Sequence, residues 1–231
     1  MLPQLIIGAV VALASAVQDT GNKPYGNHNL DQALSTKKLP DGNTVYSVNK
    51  QVIGPVLDDL TAHAGDYPPR FRSKEDRARA ERDTQTLIGV FDKAAASDDA
   101  DSVTLYAAAY LNSIGHNLDI DGAPKTAANY YERLLKREPN HPRGNLSYGI
   151  FLASASKPKE GIPYLEKALK AGVEDARYSL GLAYLALGDK AKALEYLNAY
   201  LKRRPDSPHV KQLIEDIRSG RVRTKTEGAA K

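Results

Sequence analysis

Cysteine is absent from the 231 residues. Its absence excludes a disulfide-stapled scaffold, a thiolate metal site and a cysteine nucleophile, and leaves no residue for the acylation that anchors a lipoprotein. No apolar run reaches the roughly 20 residues that span a bilayer. Charge of one sign is also short: the net charge is +4, and Arg218, Arg221, Arg223, Lys225 and Lys231 against Glu227 account for all of it. The rest of the chain balances to zero, so a basic face able to neutralise several phosphates is missing and no nucleic-acid partner is expected. Residues 220–231 read as a basic, disordered tail, with a weak contact to anionic surfaces as the second reading.

Sequence patterns that carry chemistry are missing too. His28, His63, His116, His141 and His209 stand far apart, and none is read as sharing helical spacing with a second ligand, so they are taken as surface or capping residues. Gly144 to Gly149 superficially resembles a nucleophile elbow around Ser147, but one residue too many precedes the serine and no strand leads into it. Asp98, Asp99 and Asp101, like Asp119 and Asp121, fit no EF-hand loop, and helix capping is their expected role. No glycine loop ending in Lys-Ser or Lys-Thr is present. The expectation is a non-enzyme without cofactor or metal.

What is present begins at Leu5, where LIIGAVVALASA runs to Ala16 and ends in the small residues Ala14-Ser15-Ala16. This is a secretory signal in outline, although no Lys or Arg precedes it. Residues 1–16 are therefore expected to be a signal peptide, and the protein to be periplasmic or otherwise exported. Membrane contact is expected only through this segment, if uncleaved. An uncleaved anchor and a buried helix of a cytosolic fold are the other readings.

Residues 17–72 form an N-terminal extension rich in Gly, Asn, Asp and Pro. Pro40-Asp41-Gly42-Asn43 reads as a turn and Thr44 to Val48 as a short strand. Gln51 to His63 reads as a helix carrying Val52, Ile53, Val56, Leu57 and Leu60, ended by Tyr67-Pro68-Pro69. From Ser73 to Ala96 a helix is expected to dock through its C-terminal half, by Leu87, Ile88, Val90 and Phe91.

The strongest pattern is internal. YYERLLK from Tyr130 recurs as YLEKALK from Tyr164 and as YLNAYLK from Tyr196, at offsets of 34 and 32 residues. That period belongs to helical hairpins stacked in a row, each burying its apolar face on its neighbours. In the last unit Leu180-Gly181, Tyr184, Ala193, Leu197 and Pro205 stand at the spacings of the tetratricopeptide repeat signature, and the chain resembles that family. Gly181 and Ala193 are small where two helices would cross, and Pro205 cannot continue the second helix. The middle unit keeps Tyr148-Gly149, Leu152, Gly161, Leu165 and Ala168 but has Val173 at the closing proline. The first keeps Ala127, Tyr131, Leu134 and Pro139, with an extra polar stretch, Asn117 to Gly122, after its first helix. Arg177 stands where the family often has tryptophan.

Val210, Leu213, Ile214 and Ile217 line one face of a capping helix over Ser207 to Ser219. The fold expected for residues 73–219 is thus all-α, a right-handed superhelical array of antiparallel hairpins. Most of the repeat tyrosines, from Tyr106 to Tyr200, are expected in its core.

The resemblance implies a concave groove lined by the first helix of each hairpin, here Arg143, Leu146, Ile150, Tyr178, Leu182 and Leu185. Such a groove suits a helix or extended peptide of a partner protein, or the chain's own residues 39–72. A scaffold or adaptor of the bacterial cell envelope is the first functional reading. An accessory subunit or enzyme of the cell wall is the second, and a cytoplasmic regulator, should the N-terminus not be a signal, is the third.

Overall fold

The computed structural model describes residues 5–6, 23–38, 40 and 44–222. The signal segment beyond Leu5 and Ile6, the turn beyond Pro40 and the basic tail from 223 onward lie outside the described residues. The chain divides into two compact units, residues 1–137 and 138–231.

In the first unit three short strands, β1 (Leu5–Ile6), β2 (Leu34–Lys38) and β3 (Thr44–Val48), form a sheet of order β1-β3-β2. β3 coincides with the expected strand. β2 pairs with it antiparallel, Thr36 opposite Tyr46, and β1 pairs parallel, Leu5 opposite Tyr46. The two residues of the apolar run that are described are therefore strand, not part of a buried helix.

Helix α1 (Lys50–Ala64) starts at Asn49, whose side chain accepts from the Gln51 amide, and buries Ile53, Val56, Leu60, His63 and Ala64. It stops at Gly65, before the Tyr67-Pro68-Pro69 segment that sequence predicts as its end. Helix α2 (Lys74–Ala95) is capped by Ser73, with Glu75 and Asp76 in the first turn where the helix dipole favours negative charge. It does not dock by its C-terminal half alone. Leu87 and Phe91 are buried as expected, but so are Asp76, Ala80 and Thr84, because the segment around Tyr25 packs on the charged half.

Gly89 lies mid-helix in α2 with no atom within 4 Å of where a Cβ would stand. Gly89→Ala is expected to raise stability by about 1 kcal/mol, through the glycine helix penalty alone, and a denaturant titration reads this as a higher midpoint at unchanged slope.

Helices α3 (Ser102–Asn117) and α4 (Ala123–Arg137) make the first hairpin. A Cβ on Gly115 would stand 2.9 Å from the Ala123 methyl, so the two helices meet closely. The polar stretch after α3 is not an insertion. Gly115 and Ala127 stand at the same separation as Gly149 and Gly161, or Gly181 and Ala193. What differs is that α3 unwinds early, and Asp119 takes φ 61° there while its carboxylate accepts from Arg77 at 2.8 Å. Asp119 is thus tied to α2 rather than capping α4, whereas Asp101 does cap α3, accepting from the Thr104 amide at 2.7 Å. Arg133 and Arg137 of α4 donate to the carbonyls of Ala95, Ser97 and Ala100 at 2.5–2.6 Å and fix the α2–α3 connection.

The second unit contains α5 (Pro142–Ser154), α6 (Pro158–Lys170), α7 (Ala176–Ala186), α8 (Lys190–Arg203) and α9 (Pro208–Arg218). No strand occurs among its described residues. Proline opens α5, α6 and α9, where its missing N–H costs no helical bond. All three hairpins have a left-handed residue at the same repeat position, Gly122 (φ 78°), Ser156 (φ 64°) and Gly188 (φ 81°), and the first has Asp119 in addition. At that position Ser156 bears a cost that the glycines avoid.

Candidate partner-binding surface

Two hairpins, α5–α6 and α7–α8, carry the six residues expected to line a groove. Glycine sets how close their helices come. A Cβ on Gly161 would lie 2.5 Å from the Gly149 carbonyl oxygen, and one on Gly149 would lie 2.6 Å from Leu165 Cγ. In α7–α8 the same relation holds between Gly181 and Leu197, at 2.7 Å. Each crossing leaves no room for a methyl group, so the two helices of each hairpin pack at close range.

Arg143, Leu146 and Ile150 fall on one face of α5, and Tyr178, Leu182 and Leu185 on one face of α7, at helical spacing. The structure places them at different depths. Leu146 is 9% exposed and belongs to a core cluster with Ile162, Leu165, Ala168, Ala176, Leu180 and Ala183, against which Ile150 packs. Leu185 is 8% exposed and belongs to a second cluster with Ala193, Leu197, Tyr200, Val210, Ile214 and Ile217, against which Tyr178 packs. Arg143, Ile150 and Tyr178 are half-buried, and Leu182, at 37%, is the one large apolar residue of the six that is exposed.

Tyr178 sits between the rings of Tyr200, 5.6 Å away, and His209, 5.8 Å away, so α7 and α9 are joined through an aromatic contact. Burial raises the Tyr200 phenol above its usual range, which keeps it a neutral donor. At the start of α7, Arg177 stands where tryptophan is frequent in the resembled family and instead donates to Glu174 at 2.9 Å, holding that carboxylate below its ordinary range. His141 caps α5 by accepting from the Gly144 amide at 2.9 Å, the capping role expected of a histidine.

No group of three His, Cys, Asp or Glu among the described residues is placed to hold a metal ion. Ser147 stands within helix α5, without the strand-to-helix turn that exposes a nucleophile. Of the ten repeat tyrosines, Tyr106, Tyr130, Tyr131, Tyr148 and Tyr200 are buried, and the other five are half-buried.

One cluster escapes the sequence reading. His63 is not a surface histidine but 3% exposed, and Asp59, one helical turn before it, is a ligand-type residue at helical spacing. Spacing alone could have flagged that pair. No periodic signal marks its third member, Tyr25, which is 1% exposed in a segment without regular structure.

The tetratricopeptide repeat family matches residues 122–172 and 152–208, which contain α4 to α8. Residues 122–208 belong to the tetratricopeptide repeat family. Among solved structures the chain is similar to the MamA protein, at 19% identity over 73% of this chain and 84% of that one, with a TM-score of 0.51. It is similar to YrrB, described as a TPR protein with an unusual peptide-binding site, at 18% identity over 72% and 83%, with a TM-score of 0.50. TTC0263 of Thermus thermophilus, described as a thermophilic TPR protein, matches at 15% identity over 72% and 92%, with a TM-score of 0.48. No curated protein sequence matches the chain. At these identities the first two likenesses establish a shared fold and no more; the tetratricopeptide repeat family matched over residues 122–208 is generally non-catalytic.

Proposed function

We propose that this tetratricopeptide protein is a non-enzymatic scaffold or adaptor of the bacterial cell envelope, taking a helix or extended peptide of a partner on the face formed by α5 and α7. The observation that carries the reading is the composition of that face. Ile150, Tyr178 and Leu182 are apolar and accessible on successive first helices, with Arg143 as a charged neighbour. A shallow apolar surface with one cation fits an amphipathic segment better than a small polar ligand. YrrB, the structural neighbour with a peptide-binding site, supports peptide binding as the mode.

Export rests on the apolar run from Leu5 to Ala16. Cleavage after Ala16 would remove β1 and leave β2 and β3 as a two-stranded hairpin. Sequencing of the mature chain should then begin at Val17, and a chain that keeps Met1 in the cytosolic fraction would remove the envelope from this proposal.

Leu146 is a poor place to probe the face, since a charge there would be buried in the core. Leu182→Glu is the cleaner test. Its effect on stability is expected to stay within about 1 kcal/mol, because the side chain is partly exposed and lies outside the buried clusters. Recovery of a partner captured with the wild-type chain is expected to fall by about tenfold or more, the loss typical of a residue central to an interface. Unchanged recovery with a folded Leu182→Glu chain would move the contact surface off α7.

A further inference from the structure

Residues 23–28 have no regular secondary structure and are held in the first unit by side chains of α1 and α2. The Tyr25 ring is enclosed by Phe71, His63 and His28, with centroids 6.3, 5.7 and 5.2 Å away, and its hydroxyl donates to Asp83 at 2.9 Å. The backbone on both sides of the ring is read by side chains. The Tyr25 amide donates to Asp76 at 3.2 Å and the Gly26 amide to Asp59 at 2.6 Å, while Arg79 donates to the carbonyls of Tyr25 and Gly26 at 3.0 and 3.3 Å.

His63 faces the Lys23 carbonyl through Nε2 at 3.0 Å and its own helix, at Asp59, through Nδ1 at 2.9 Å. The Asp59 carboxylate lies 3.3 Å from the same Nδ1. Asp59 also meets His28 at 2.9 Å. A Cβ on Gly26 would lie 2.9 Å from the His28 ring and 3.0 Å from Asp59, so a glycine after the tyrosine fits where a larger residue would crowd both.

Segments packed for structure alone usually satisfy their backbone through sheets, turns and water. Here four polar backbone groups of two residues are taken by side chains of α1 and α2. The ring occupies a fitted aromatic pocket and the hydroxyl has a dedicated acceptor. Burial raises the Tyr25 phenol above its usual range, so it remains a donor to Asp83.

We propose that the pocket formed by Asp59, His63, Phe71, Asp76, Arg79 and Asp83 is a recognition site for an extended Tyr-Gly peptide, occupied in cis by Lys23–His28 and able to take the same sequence in trans. The site is separate from the face of α5 and α7 and does not rest on it. The tethered segment acts at an effective concentration on the order of millimolar, which blocks a free peptide until the tether lets go.

The test uses the full chain and a labelled synthetic peptide with the sequence of residues 23–30, followed by fluorescence anisotropy. Tyr25→Ala vacates the ring pocket, and the variant is expected to bind the peptide about tenfold or more tighter than the wild type. The same peptide with alanine in place of its tyrosine is expected not to bind. A Tyr25→Ala chain with undiminished helical circular dichroism that binds no tighter than the wild type would overturn the proposal. Should that variant fail to fold, hydrogen exchange on the wild type decides. Peptide at roughly millimolar concentration is expected to accelerate exchange of the Tyr25 and Gly26 amides several-fold by competition, and exchange that ignores the peptide would overturn the proposal equally.

Discussion

Gly161→Ala is expected to lower the stability of the protein by about 2 kcal/mol, although the same change in a free helix would raise it by about 1 kcal/mol. The competing terms can be weighed from the geometry. Alanine is the better helix former, but its methyl would stand 2.5 Å from the Gly149 carbonyl oxygen, and that atom is backbone. No rotamer change relieves the contact, so α5 and α6 must separate and loosen the cluster around Leu165. Overpacking of this kind typically costs about 1–3 kcal/mol or more and outweighs the gain in propensity. Denaturant titration against Gly89→Ala, where the methyl meets nothing, gives opposite signs for one chemical change. A stabilised Gly161→Ala would mean that α5 and α6 cross farther apart than described.

Leu197→Ala should destabilise by about 3 kcal/mol, since the side chain is fully buried among Leu185, Ala193, Tyr200, Val210, Ile214 and Ile217 and its loss leaves a cavity. The informative measurement is the cycle with Gly181→Ala. On the wild type that second change should cost roughly 1 kcal/mol, because a Cβ on Gly181 would stand 2.7 Å from Leu197 Cγ. In the Leu197→Ala background the obstructing atoms are gone, the next contact is the Ala193 carbonyl at 3.4 Å, and Gly181→Ala should become neutral or stabilising. A coupling of about 1–2 kcal/mol is expected, and additive effects would show that Leu197 does not fill the space beside Gly181. Gly161 should show no such rescue, because its obstacle is main chain.

The glycine, leucine and proline positions of the hairpins were legible because the two helices of a hairpin are adjacent in the chain. Gly181, Ala193 and Leu197 meet within a short stretch, so repetition at 34 and 32 residues exposes their pairing. The capping helix was legible for the same reason: Val210, Ile214 and Ile217 follow one helical stripe. Depth along the first helices was not. Arg143, Leu146 and Ile150 share one face of α5, yet Leu146 lies in the core and Ile150 at its edge, because burial depends on what α6 and α7 bring beside them.

The N-terminal extension was the least legible part. Tyr25 reaches Asp76 and Asp83 across 51 and 58 residues, through polar bonds that follow no period, and composition marks the segment only as glycine- and asparagine-rich. Sequence places the docking of α2 in its C-terminal half and assigns no contact to its charged first half. Its Asp76, Arg79 and Asp83 instead bind the backbone and hydroxyl of that segment.

Sequence by itself pointed to antiparallel helical hairpins within residues 73–219, to a capping helix at their end, and to a molecule in which cysteine chemistry has no place. These follow from local periodicity and from absences, which no folding step can alter. Tertiary structure alone decided which apolar residues remain accessible on α7, how closely Gly149 and Gly161 bring their helices, and that Tyr25 is enclosed between α1 and α2. Each of these depends on residues distant in the chain meeting at atomic distance, where a few tenths of an ångström separate contact from clash.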